Sequence, residues 1–75
     1  MIEPAQIRMA RGALHITVRK LAEMADVSFM TINRIENGHS SGHGATLRKI
    51  QRALEKAGVE FIDGDAPGVK LRKKR

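Results

Sequence analysis

The residues of this chain that can do chemistry are its cations. Fourteen Lys and Arg stand against eight Asp and Glu, a formal net charge of +6. Their placement says more than their number. Residues 1–44 are close to neutral at +1, residues 45–57 carry +3, residues 58–69 carry −3, and Lys70 to Arg75 carries +5. A chain of this balance is drawn to phosphate polymers. Its only aromatics are Phe29 and Phe61, too few to stack the bases of a single strand, so duplex DNA is the favoured polymer. Other chemistries lack their parts. There is no cysteine, hence no disulfide, thiolate nucleophile or Cys-based zinc site. His39 and His43 are four apart, but they sit in a glycine loop with no carboxylate nearby to complete a metal site. That loop, Gly38 to Gly44, follows a helical pattern and lacks the Gly-Lys-Ser/Thr ending of a nucleotide-binding loop. No Ser/His/Asp set has a pocket in so small a domain, so neither catalysis nor a cofactor is expected.

The elements that must position the cations can be read from caps and spacing. Thr17 to Gly38, TVRKLAEMADVSFMTINRIENG, reads as two short helices joined by a tight turn. Thr17 caps the first, which runs through Met24 with Leu21, Ala22 and Ala25 inward. The turn Ala25-Asp26-Val27 needs a residue that accepts a left-handed backbone, and Asp26 is the suitable one. Ser28 caps the second helix, Ile32 and Ile35 point inward, and Asn37-Gly38 stops it. This is the form of a helix-turn-helix, a unit that lays its second helix in the major groove of DNA. Ahead of it, Pro4 opens a helix with Ile7, Ala10, Arg11 and Leu14 on one face. After the loop, Ala45 to Ala57 has Leu47, Ile50 and Leu54 on its apolar side and Gly58 as its stop.

Beyond Gly58 the period changes. Val59 to Ile62 and Val69 to Arg72 alternate as strands around the turn residues Asp63 to Gly68, which predicts a β-hairpin. The expected organisation is therefore a DNA-binding domain at 1–58, a hairpin at 59–72 and a basic tail at 73–75. A lone hairpin is marginal in water. It must pack on the helices or join a second subunit, in which case Phe61, Ile62, Val69 and Leu71 are the contacts. A domain of this size buries only about 60% of its unfolded surface, which also favours a homodimer. No apolar run reaches membrane-spanning length and no leader is read at the N-terminus, so no membrane role and a cytoplasmic location are expected.

From Ile7 to Leu54 the residues resemble the Cro/phage-repressor (XRE-type) helix-turn-helix family. The resemblance is carried by Arg11, Leu21-Ala22, Val27-Ser28, Thr31-Ile32, Arg34-Ile35-Glu36-Asn37-Gly38 and, after a loop, Leu47 with Ala53-Leu54. It implies a mostly α, compact four-to-five-helix repressor-like bundle. It also implies that Phe29, Met30, Asn33 and Arg34 meet base edges. The side chains suit that role: Arg34 can pair with guanine, Asn33 with adenine, and Phe29 or Met30 can pack on a thymine methyl. Counting roughly 100° per residue sets Phe29 about 60° from Ile32 and about 120° from Ile35, between core and groove. Phosphate contacts would come from Thr17, Arg19, Ser28, Thr31, Asn37, His39 and His43. Val18 stands where the family commonly carries a phosphate-binding Gln, which passes that contact to Thr17, Arg19 and the free N–H groups of the turn. The resemblance further implies that Arg11 pairs with Glu36 to orient the recognition helix.

Three functions fit these residues. The first is a sequence-specific transcriptional regulator, a dimeric repressor on a palindromic operator. The second is an antitoxin or anti-activator that uses the same fold to hold a protein partner. The third is a packaging protein without sequence preference. The ratio of specific to non-specific binding separates the first from the third, and a stable heteromeric partner marks the second.

Overall fold

The computed structural model describes residues 2–39 and 44–72. His43, expected at a phosphate, and the basic tail at 73–75 lie outside the described residues.

Four helices and a hairpin follow one another: α1 (Pro4–Leu14), α2 (Val18–Ala25), α3 (Phe29–Glu36), α4 (Gly44–Lys56), β1 (Val59–Ile62) and β2 (Gly68–Leu71). The caps decide the boundaries. Pro4 stands in the first turn of α1, and the Gln6 side-chain oxygen accepts the Glu3 N–H at 2.8 Å. The Thr17 hydroxyl oxygen accepts the Lys20 N–H at 3.0 Å, and the Ser28 hydroxyl oxygen accepts the Thr31 N–H at 3.1 Å. Each satisfies one of the N–H groups that a helix start leaves unpaired. The reversals on either side of α2 are left-handed, at His15 (φ 58°) and Asp26 (φ 56°). Asp26 was the expected position; His15 reads in the sequence only as part of a short connection.

Each helix gives one stripe to a shared core: Ile7 and Ala10 from α1, Leu21 and Ala25 from α2, Ile32 and Ile35 from α3, Leu47, Ile50, Ala53 and Leu54 from α4. A fully buried Leu or Ile stabilises by roughly 1.5–3 kcal/mol, so these few side chains carry most of the fold. Ala22 is half-buried at the edge of this cluster. Among the described residues no helix is long and apolar enough to cross a membrane.

The two strands pair antiparallel, Val59 opposite Leu71 and Phe61 opposite Val69, with β2 starting one residue earlier than the alternation suggests. Opposed residues of an antiparallel pair share a face. Val59 is buried, and Phe61 and Val69 pack against the helical core with it. The hairpin thus folds back on its own helices. Of the four strand residues offered above to a second subunit, Phe61 and Val69 are turned to the chain's own core. Ile62 and Leu71 remain 45% and 47% exposed. Gln6 fixes the turn end of the hairpin: its buried amide nitrogen donates to the carbonyls of Ile62 (3.1 Å) and Gly68 (3.0 Å). At the open end the Arg72 N–H donates to the Gly58 carbonyl at 2.7 Å.

Gln6→Ala removes both of these bonds together with the cap on the Glu3 N–H, and leaves two carbonyls to find other donors. A loss of about 1–3 kcal/mol is expected, read from the midpoint of urea unfolding at unchanged slope. An unchanged midpoint would show that the strands hold themselves in place.

Candidate nucleic-acid interface

The geometry of α3 is set from α1. Glu36, in the last turn of α3, is only 5% exposed. Its two carboxylate oxygens accept from Arg11 Nε and Nη2, both at 2.7 Å, the planar bidentate fit that arginine makes with carboxylate. Arg11 Nη1 also donates to the Ile16 carbonyl at 3.3 Å, tying in the segment that leads to α2. One turn earlier, Arg8 Nη1 donates to the Glu36 carbonyl, one of the unpaired acceptors at the C-terminus of α3. The Glu36 hydrogen bond raises the Arg11 pKa, burial opposes the rise and the Glu36 charge adds to it. A base with a raised folded pKa contributes stability below its unfolded pKa and loses it only as pH climbs through the folded value. For arginine both values lie in strong alkali, so its side of the pair is constant around neutrality.

With Ile32 and Ile35 turned into the core, the opposite side of α3 presents Phe29, Met30, Asn33 and Arg34 to solvent. Met30 is 59% exposed and Phe29 36%. Phe29 is not isolated: the Arg19 guanidinium carbon lies 4.6 Å from its ring centre, a cation–π contact that joins the first turn of α2 to the first turn of α3.

The polar residues expected at phosphates stand at or near the ends of α2 and α3. Thr17 is exposed, and because its oxygen accepts the Lys20 N–H, its own O–H remains a donor for an outside group. The Ser28 and Thr31 hydroxyls are 2.9 Å apart, so one donates to the other and the pair retains one hydroxyl proton. Asn37 and His39 are exposed at the end of α3, where the His39 N–H donates to the Arg34 carbonyl at 2.9 Å. Phe61, Ile62, Val69 and Leu71 lie apart from this row, on the hairpin. Among the described residues no three His, Cys, Asp or Glu side chains are grouped for a metal ion.

Three contacts were missed by sequence reasoning. Arg8 and Arg11 are three apart and share a stripe of α1, a signal that could have paired them. The Arg19–Phe29 stack has no signal in spacing. Nor does Lys49, whose ammonium donates to the Asp26 carbonyl at 3.2 Å, at the negative end of α2.

Residues 7–61 match the model of the helix-turn-helix family. The match runs past Leu54, where the resemblance read above stops, and into β1. No curated protein matches the chain. With nearly three-quarters of its length covered, the chain belongs to the XRE-type helix-turn-helix family of Cro and the phage repressors. This is a family of DNA-binding transcription regulators.

Arg11→Ala leaves the Glu36 carboxylate buried without its partner, which costs about 3–5 kcal/mol for a fully buried pair and less here because Arg11 is partly exposed. The double variant Arg11→Ala with Glu36→Ala is expected to be more stable than Arg11→Ala alone. A thermodynamic cycle from denaturant melts measures the coupling, and additive losses would refute it.

Proposed function

We propose that the chain is a sequence-specific transcription regulator of the cytoplasm: a homodimeric repressor that holds a palindromic operator with α3 of each subunit in the major groove. One observation carries this reading. The exposed row Phe29, Met30, Asn33 and Arg34 stands on a helix whose opposite side is buried and whose end is gripped by Arg8 and Arg11. Base reading needs such a row on a support that does not yield. Arg34 is the guanine reader, Asn33 an adenine reader, and Met30 and Phe29 the apolar part of the face. Thr17, Arg19, Ser28, Thr31, Asn37 and His39 supply phosphate contacts that set position without reading sequence. Operator occupied in this way is closed to other proteins, which is repression in its simplest form.

Residues 1–58 form the DNA-binding unit in this reading and 59–72 the contact between subunits. Among the described residues each strand of the hairpin pairs only with the other, and Ile62, on the face turned from the core, is exposed to a second copy. Pairing across a two-fold axis would set two α3 helices about 34 Å apart, one turn of DNA.

Arg34→Ala is expected to relax base preference at one position per half-site and weaken operator binding by about 1–3 kcal/mol. Sequences selected from a random DNA pool supply the operator. Equal loss on operator and random DNA would make Arg34 a phosphate contact only, and a pool with no enriched sequence would turn attention to the protein-binding alternative.

Sedimentation of the free protein tests the assembly. The expected result is a dimer at tens of micromolar that Ile62→Glu converts to a monomer. A wild-type monomer under these conditions would remove the hairpin from the interface and leave the DNA-binding reading in place.

A further inference from the structure

The geometry points to a recognition helix that reads the C5-methyl group of a pyrimidine, with Met30 as the residue that covers it. This inference rests on the reading of α3 as the helix that enters the major groove, and it names the chemical group recognised there.

The base-reading row is unusual in being half apolar. Two of its four side chains, Phe29 and Met30, can neither donate nor accept a conventional hydrogen bond, and both are exposed although α3 already fills its share of the core with Ile32 and Ile35. The major-groove edges of the four bases display donors, acceptors and a single apolar feature, the C5-methyl group of thymine. Methylated cytosine presents the same group at the same ring position. An exposed apolar side chain in this row therefore has one chemical counterpart among the bases.

The structure separates the two candidates for the contact. Phe29 has one face of its ring occupied by the Arg19 guanidinium at 4.6 Å. It serves as a platform that holds Arg19 beside the start of α3. Met30 is the more exposed of the two, at 59%, and its flexible, polarizable thioether adapts its surface to a methyl group. Met30 also shares a stripe with Arg34, four residues on. Side chains so spaced are about 5–6 Å apart at Cβ, whereas successive base pairs are about 3.4 Å apart along the duplex. With Arg34 on a guanine, Met30 falls over the neighbouring base pair or the one beyond it. The element recognised is thus a guanine beside a C5-methylated pyrimidine, read jointly by a fork of donors and an apolar cap.

The test uses the full chain and the operator selected from random DNA. Each thymine is replaced in turn by deoxyuridine, which lacks only the methyl group. Substitution at one or two positions per half-site is expected to weaken binding by about three- to tenfold, the worth of one buried methyl with its packing. Met30→Ala should weaken binding to the thymine operator by a similar factor and lose the sensitivity to deoxyuridine. As an exposed residue of a helix, position 30 accepts Ala without unfolding the domain. Cytosine and 5-methylcytosine placed at the sensitive position distinguish the two sources of the methyl group. Recovery with 5-methylcytosine supports recognition of the methyl itself, while recovery with thymine alone restricts the site to thymine. Equal binding of every deoxyuridine operator would overturn the inference, as would full deoxyuridine sensitivity in Met30→Ala. In either case the enriched operator would still stand as evidence that α3 reads DNA; with no enriched sequence, both readings fall.

Discussion

Glu36 is a carboxylate taken out of water at the end of a two-turn helix, and the arrangement of the molecule follows from what must be done about it. A buried charge without a partner is among the most destabilising features a small domain can contain. Arg11 answers it with two parallel bonds, and Arg8 takes the carbonyl of the same residue. Both arginines belong to α1, so the last turn of α3 has a fixed position relative to α1. Hydrophobic packing alone does not define direction so closely, because apolar surfaces can slide over one another while a planar fork on a carboxylate cannot. Five residues before Arg11 on the same helix, Gln6 holds the hairpin by two backbone carbonyls. α1 therefore carries at one end α3 and at the other the strands, although no residue of α1 belongs to the exposed row Phe29, Met30, Asn33 and Arg34.

Those strands also answer a problem of size. Four short helices offer a core of few large side chains, and Val59, Phe61 and Val69 extend it. A hairpin that would be marginal by itself is stabilised by the helices, and the helices gain apolar cover in return. The family match, which reaches into β1, agrees with the first strand being part of the packed unit.

Local features of the fold were legible in the sequence because local chemistry determines them. Thr17 and Ser28 cap as their residue types suggest, Asp26 turns left-handed where a left-handed residue was needed, and Ile32 and Ile35 face inward at helical spacing. The strands were legible from their alternation. Where the hairpin goes was not, since that depends on bonds from Gln6 to residues 56 and 62 positions away, and a buried glutamine looks in sequence like any surface one. The same holds at the interface. Its outward row could be placed by counting around α3, but the stacking of Arg19 on Phe29 depends on the angle between two helices, which no spacing encodes. The grip of Arg8 on α3 lay between these cases, with a stripe on α1 to suggest it and no way to name its partner.

The left-handed residues His15 and Asp26 bracket α2. Non-glycine residues in this conformation are held there by their surroundings, and glycine would relieve each at the expense of a freer unfolded chain. Between them α2 is eight residues long and is reached by connections of three residues each. A frame of this kind evolves new preferences by exchange of its exposed side chains, as type is changed in a fixed printing block. The spacing of the letters stays constant while the word they print is rewritten.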